Sequence, residues 1–199
     1  MVLRLIAQQL AHPMGPLGGI IRHYMNRRNA AMNAYTVELL DLTPTDRVLE
    51  IGFGGGVVLP SLIGGAASVV GVDPSLDVIR AANRRYGTSD TLEFRLGKVE
   101  ALPCAAGEFN KVCTVNTIYF WQNLNFGFSE IHRVLTEGGR VAVGFLPKAG
   151  MQRMNLPSDI FTLRDSDDVV AAMVQAGFRA VRVERPQPSI EWNVIVGTR

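Results

Sequence analysis

The sequence predicts an α/β protein: a doubly wound, mostly parallel seven-stranded sheet with an antiparallel last strand, preceded by an N-terminal helical arm. Three observations predict it. From residue 47 onward, short continuous apolar runs such as Val69-Val70-Gly71-Val72 and Val141-Ala142-Val143-Gly144 alternate with helical stretches; such runs suit strands covered on both faces. The connection between the last two runs, 185–190, carries Pro186 and Pro188 and is too short for a crossover helix, so that pair is antiparallel. The first run, Val48-Leu49-Glu50-Ile51, passes straight into Gly52-Phe53-Gly54-Gly55-Gly56, as a ligand-binding loop at the carboxyl edge of a parallel sheet does.

The elements follow in order. Residues 2–11 and 20–40 read as helical, separated by the breaker-rich stretch from His12 to Gly19. In the second segment Tyr35 and Leu39 fall four apart and share a helix face; Thr43-Pro44 ends it. Strands are expected at 47–51, 68–72, 91–96, 110–115, 140–146, 178–184 and 191–197, and helices at 57–64, 75–86, 124–136 and 166–176. Pro60 suits the first turn of its helix, where its missing N–H costs little. This divides the chain into an arm, 1–40, and a ligand-binding domain, 41–199.

Composition bounds the rest. At 199 residues, with 47% hydrophobic and 19% charged content, one domain with a large core is expected. No run is long enough for a membrane span. Cys104 and Cys113 lack metal-ligand spacing, so no metal is expected and a reducing cytoplasm is the default. The net charge of +2 makes no case for nucleic acid. Residues 1–37 hold Arg4, Arg22, Arg27 and Arg28 and no acid, which leaves −2 for the remainder. The basic, partly apolar arm reads either as a solvated helix packed on the domain or as a surface for an anionic substrate or membrane.

Glycines after the first strand let the backbone approach a ligand closely. The second strand ends on Asp73, placed to accept both hydroxyls of a ribose. Loop and acid together describe a nucleoside site. A nicotinamide cofactor would want G-x-G-x-x-G, but here the third glycine is Gly56 and Val57 holds the later position.

In order and spacing, five stretches resemble the class I S-adenosylmethionine-dependent methyltransferases: Val48 to Gly56, Gly71-Val72-Asp73-Pro74-Ser75, the stretch from Phe94 to Pro103, Phe109 to Val115, and Glu130 to Val141. The resemblance covers about residues 45–199 and is greatest to the branch that includes ubiquinone and menaquinone methyltransferases. It implies S-adenosylmethionine as cofactor. The backbone of Gly52, Phe53, Gly54 and Gly56 would pass under its methionine part, with Glu50 near the amino group. Asp73 would hold the ribose, Pro74 would lie beside the adenine, and Lys98, Val99 and Glu100 would close over the adenine edge. Asn116 would sit near the methionine end. The family places Asp where Lys98 stands, to accept from the adenine amino group; lysine cannot accept.

The sulfonium carries its own leaving group, so alignment matters more than a catalytic base. Substrate-side candidates are Tyr119 and Trp121, within Asn116-Thr117-Ile118-Tyr119-Phe120-Trp121, and His23 in the arm. The aromatic residues either wall an apolar substrate or pack the next helix onto the sheet. Met151 and Met154 read as an adaptable lid or as core filling, and His132 as structural. No N-P-P-Y sequence follows the fourth strand and the insertion after the fifth is short, which favours a small-molecule acceptor over nucleic acid. The leading expectation is methyl transfer to a small, apolar or amphipathic molecule. The alternative is a catalytically inactive binding or scaffold protein of the same fold.

Overall fold

The structure, a computed structural model, describes residues 29–87, 89–154 and 160–199. Residues 29–40 form helix α1. There follow β1 (Arg47–Ile51), α2 (Leu59–Gly65), β2 (Ser68–Asp73), α3 (Leu76–Tyr86), β3 (Leu92–Leu96), β4 (Phe109–Val115), α4 (Leu124–Val134), β5 (Leu135–Phe145), α5 (Lys148–Gln152), α6 (Ser166–Gln175), β6 (Arg179–Glu184) and β7 (Asn193–Thr198). The expected arm helix 2–11, its breaker segment, His12 and His23 lie outside the described residues.

The strands form one seven-stranded sheet in the order β3-β2-β1-β4-β5-β7-β6. β3 through β5 are parallel, and β7 runs antiparallel to both neighbours. This is the expected class of sheet. β1 and β2 are buried along nearly their whole length because helices cover both faces. β6 closes one edge with Arg179, Arg182 and Glu184, charges that keep an edge strand from pairing further. The strand order reverses between β1 and β4. A crevice opens at that point beyond the carboxyl ends of the strands, where doubly wound sheets bind ligands.

Two apolar clusters clamp the sheet, one on each face. The first centres on Phe128, Phe145, Ile131 and Leu135, and the second on Leu40, Leu59, Leu62 and Val48. α1 joins the second. Its fully buried stripe is Met32, Thr36 and Leu40, and the expected Tyr35–Leu39 face is only partly buried beside it. Thr36 tolerates that position because its hydroxyl donates to the Met32 carbonyl at 2.8 Å.

Boundaries shift where local chemistry overrides the pattern. The helix expected to reach 136 stops at Val134, because Leu135 already pairs with Phe109 as the start of β5. A bulge then carries the chain through Gly138, at φ 75°, before the regular pairing resumes at Arg140. α2 begins at Leu59 rather than 57, with Pro60 in its first turn as expected. α5 and a short 3₁₀ turn, Ile118–Phe120, were not legible in the apolar pattern. His132 packs its ring edge-on against Phe178 at 5.3 Å, a structural role as expected.

Candidate active site

Every described residue expected at the cofactor end, from Glu50 to Asn116, lines one cavity of about 1320 Å³, together with Tyr119 and Trp121. That exceeds the roughly 300–1,000 Å³ of a site for a single small ligand. Its floor is the carboxyl ends of β1, β2 and β4.

The turn after β1 is made by Gly52, Gly54 and Gly56, all at positive φ of 50–70°. At Gly52 a side chain is excluded on two counts. The φ of 70° disfavours it, and a Cβ there would stand 2.4 Å from the Thr117 methyl. At Gly54 the reason is different: the nearest atom to an added Cβ is a carbonyl oxygen 4.0 Å away. The space over Gly54 is open and belongs to the cavity. Tyr86, at the end of α3, pins the far side of the loop by donating its hydroxyl to the Gly56 carbonyl at 3.2 Å. Phe53 is buried and packs on Phe94 with ring centroids 5.1 Å apart.

Two carboxylates face this loop. Asp73, 6% exposed, accepts from Gly54 N at 3.0 Å through one oxygen and from Ser75 N at 2.9 Å through the other. Asp73 is not the cap of α3; Ser75 is, accepting from Val78 N. Glu50 is 5% exposed, and its Oε2 has no hydrogen-bond partner among the described residues. Burial, and secondarily the charge of Asp73, push its carboxyl up to about 8. A buried oxygen without a partner is costly unless a ligand completes it. An ammonium group fits that requirement. The Glu50 side of the loop and the Asp73 side therefore suit the two polar ends of an amino-acid-bearing nucleoside.

The third expected wall differs in character. Lys98 is exposed, Val99 is buried, and Glu100 Oε1 accepts from Gln122 N at 2.7 Å. Glu100 thus ties the loop after β3 to the segment after β4, besides lining the cavity.

That segment is built from residue types chosen by geometry. Asn116 holds φ 58°, and its N–H donates to the Gly144 carbonyl at 2.8 Å. Tyr119 is 4% exposed; its hydroxyl accepts from Leu146 N at 2.6 Å and donates to the Leu146 carbonyl at 3.0 Å. Burial raises its pKa above the ordinary tyrosine value, so this hydroxyl is a structural pin, not a base. Trp121 is buried against Phe128, with its indole N–H donating to Thr117 Oγ1 at 3.1 Å. Both residues are wall members whose polar atoms are committed to the protein. Phe120, 43% exposed and 5.1 Å from Phe161, presents the aromatic face. Met151, Met154 and Leu146 continue the apolar wall.

Sequence reasoning missed Tyr86 and Trp192. Trp192 enters from the β6–β7 connection, packs on Tyr35 at 5.9 Å and lines the cavity. No motif marks either residue; only the closing of the sheet brings them to the glycine loop and to α1.

The methyltransferase-domain family model matches residues 49–143. The uncharacterized methyltransferase YdaC of Bacillus subtilis is 29% identical over 131 residues, 65% of this chain and 72% of that protein. The arsenite methyltransferase of Halobacterium salinarum is 31% identical over 170 residues, 76% of this chain but only 42% of that protein. Among solved structures, a S-adenosylmethionine-dependent methyltransferase of Thermotoga maritima superposes with a TM-score of 0.72 at 22% identity, covering 97% of this chain and 99% of that one. The geranyl diphosphate C-methyltransferase of Streptomyces coelicolor, solved with S-adenosylhomocysteine, gives 0.70 at 17% identity over 87% and 80% of the two chains. At these identities the two structures attest the fold; the family model and the sequence relatives attest a methyltransferase domain, on a site with an open glycine loop and a buried carboxylate oxygen, Glu50 Oε2, that has no partner among the described residues. Over residues 49–143 the chain carries the methyltransferase domain, on the fold of the class I S-adenosylmethionine-dependent methyltransferases.

Proposed function

We propose that the protein transfers the methyl group of S-adenosylmethionine to a small, apolar or amphipathic acceptor. One observation carries the reading: a single cavity has polar, carboxylate-bearing fittings at one end and a wall of Phe120, Phe161, Met151 and Met154 at the other. Bound S-adenosylmethionine supplies an electrophilic methyl with a neutral thioether as leaving group. The residues then have limited tasks. Glu50 accepts from the amino group, Asp73 from the ribose diol, and the aromatic and thioether wall excludes water and orients the acceptor.

The acceptors named for two of the similar proteins have no support here. Trivalent arsenic is thiophilic, yet the chain's two cysteines, Cys104 and Cys113, lie off the cavity. A diphosphate with a divalent cation would want an acidic cluster, and no group of three metal-ligating side chains occurs among the described residues. No helix among them is long and apolar enough to cross a membrane. The same reading puts the chain in a reducing cytoplasm, makes residues 1–40 a cover over the acceptor end with His23 on the substrate side, and needs no nucleic-acid partner. α1 supports the cover, since Met32 and Asn33 line the cavity.

The test is a screen for S-adenosylhomocysteine formation from S-adenosylmethionine with panels of hydrophobic amines, phenols and thiols. Turnover that rises with acceptor hydrophobicity and falls in Phe120→Ala supports the reading. Tight cofactor binding with no turnover on any panel, and none on charged sugars or nucleotides, would favour the scaffold alternative.

A further inference from the structure

Thr117 belongs to no motif that assigns it a role, yet it makes the contact between the two ends of the cavity. Its methyl fills the hollow over Gly52, where an added Cβ would come within 2.4 Å of it. Its hydroxyl lies in a chain of four groups. Trp121 Nε1 approaches Thr117 Oγ1 at 3.1 Å, Thr117 Oγ1 is paired with Thr114 Oγ1, and Thr114 Oγ1 meets the Ile51 carbonyl at 2.8 Å. The ends fix the direction. An indole N–H only donates and a carbonyl only accepts. Thr114 must therefore donate to Ile51, Thr117 must donate to Thr114, and Trp121 must donate to Thr117. Every hydroxyl in the chain gives one proton and receives one, and no other arrangement satisfies all four groups.

The chain links different layers of the site. Ile51 is the last residue of β1, directly before the glycine loop. Trp121 ends the segment that carries Phe120, and its carbonyl accepts from Arg164 Nη2 at 2.7 Å. The rest of that segment is fastened elsewhere: Tyr119 to Leu146, and Gln122 N to Glu100. Among the described residues, its hydrogen bonds to β1 run through Thr117 and Thr114.

Resting on the methyltransferase reading above, we propose that Thr117 is a positioning residue that sets the aromatic acceptor wall in register with the methyl-donor loop, through its hydroxyl to Trp121 and its methyl to Gly52. It touches neither reacting atom by this account and acts through the Trp121 indole and the turn at Gly52. The residue type follows from the task. Serine keeps the hydroxyl and loses the methyl, and valine keeps the shape but leaves the Trp121 indole N–H buried without an acceptor.

The experiment compares wild type, Thr117→Val, Thr117→Ser and Thr117→Ala. The chain has two tryptophans, so ¹⁵N spectra show two indole resonances, assigned with Trp192→Phe. Hydrogen exchange of the Trp121 indole should quicken at least tenfold in the Val and Ala variants and stay within threefold of wild type in Ser. S-adenosylhomocysteine affinity by calorimetry should stay within threefold in Val. With an acceptor found by the screen above, Val should lower kcat at least tenfold at a donor KM within threefold, and Ser should recover most of it. A threonine with only a packing role would lower the thermal midpoint without this split. Unchanged indole exchange in both Val and Ala overturns the proposal. So does a folded Val variant that loses S-adenosylhomocysteine more than tenfold, since Thr117 would then belong to the donor site itself. If wild type fails to bind S-adenosylhomocysteine, the methyltransferase reading fails, and indole exchange still decides whether Thr117 holds Trp121.

Discussion

The two ends of the cavity are built by different means. The donor end is backbone and charge: three glycines at positive φ and two buried carboxylates, contributed by the ends of β1 and β2. The acceptor end is side-chain surface: Phe120 after β4, Met151 on α5, Phe161 beyond it, and Trp192 before β7. A backbone fitting depends on a few residues at fixed spacing, so it tolerates little change. A wall of apolar side chains depends on total shape, so it can be redrawn residue by residue. The difference implies that mutations at the donor end abolish binding of one ligand, whereas those at the acceptor end retune which ligand is taken.

The sharpest way to break this comparison is Gly54→Val. An added Cβ at Gly54 comes no closer than 4.0 Å to any described atom, while a β-branched residue at φ 50° is strained. The variant should fold by circular dichroism and lose S-adenosylhomocysteine affinity at least about a hundredfold, ~2.7 kcal/mol. Normal affinity in a folded variant would mean that the loop does not bear the cofactor. Asp73→Ala comes next, with a loss of about 1.5–3 kcal/mol, or roughly ten- to a hundredfold. Asp73 also restrains Gly54 N and Ser75 N, so the thermal midpoint should fall as well; Asp73→Asn, which keeps one acceptor, should be milder on both counts.

Glu50 makes a distinct prediction for the free protein. Its carboxyl ionises near the ordinary 4.5 in the unfolded chain and near 8 when folded. Between those values the native state holds a proton that the unfolded state has lost. Stability from this group is therefore complete below pH 4.5 and declines as pH rises through the window. Glu50→Gln should remove that part of the slope in thermal-melt measurements taken from pH 5 to 8. An unchanged slope would show that Glu50 is not the group responsible.

At the acceptor end, Phe120→Ala should leave S-adenosylhomocysteine affinity within about threefold, ~0.7 kcal/mol, and raise the acceptor KM by about tenfold. If it instead weakens the cofactor as much as Asp73→Ala does, the division into two ends is wrong. The smallest effect is expected at Lys98, an exposed cation at the cavity rim. Lys98→Asp supplies an acceptor for the adenine amino group and should tighten S-adenosylhomocysteine by about 0.5–1.5 kcal/mol, one net hydrogen bond. A weaker complex would point to a role for Lys98 with an anionic substrate.

The same contrast explains what could be read from the sequence. The glycine loop, Glu50 and Asp73 were legible because their positions relative to β1 and β2 are fixed along the chain. The sheet and its antiparallel end were legible because continuous apolar runs and a short Pro-containing connection leave few topologies. Tyr86 and Trp192 were not, because they reach the cavity only through tertiary closure. Tyr119 and Trp121 were picked out for their aromatic character, but sequence alone did not show that their polar atoms are bound to Leu146 and Thr117. The start of β5 at Leu135 was hidden because the pairing with Phe109 is non-local.

The central claim is that Glu50, whose buried Oε2 has no partner among the described residues, receives the amino group of the cofactor. Calorimetric titration of S-adenosylhomocysteine at pH 7, in phosphate and in Tris, measures it most directly, because the two buffers differ in ionisation heat. A carboxyl near 8 is mostly protonated in the free protein at pH 7 and must ionise to pair with an ammonium. The account predicts release of close to one proton per ligand bound at pH 7, shrinking as pH rises through 8, and none at pH 7 in Glu50→Gln. Tight binding at pH 7 without proton release from wild type, or the same release from Glu50→Gln, would contradict it.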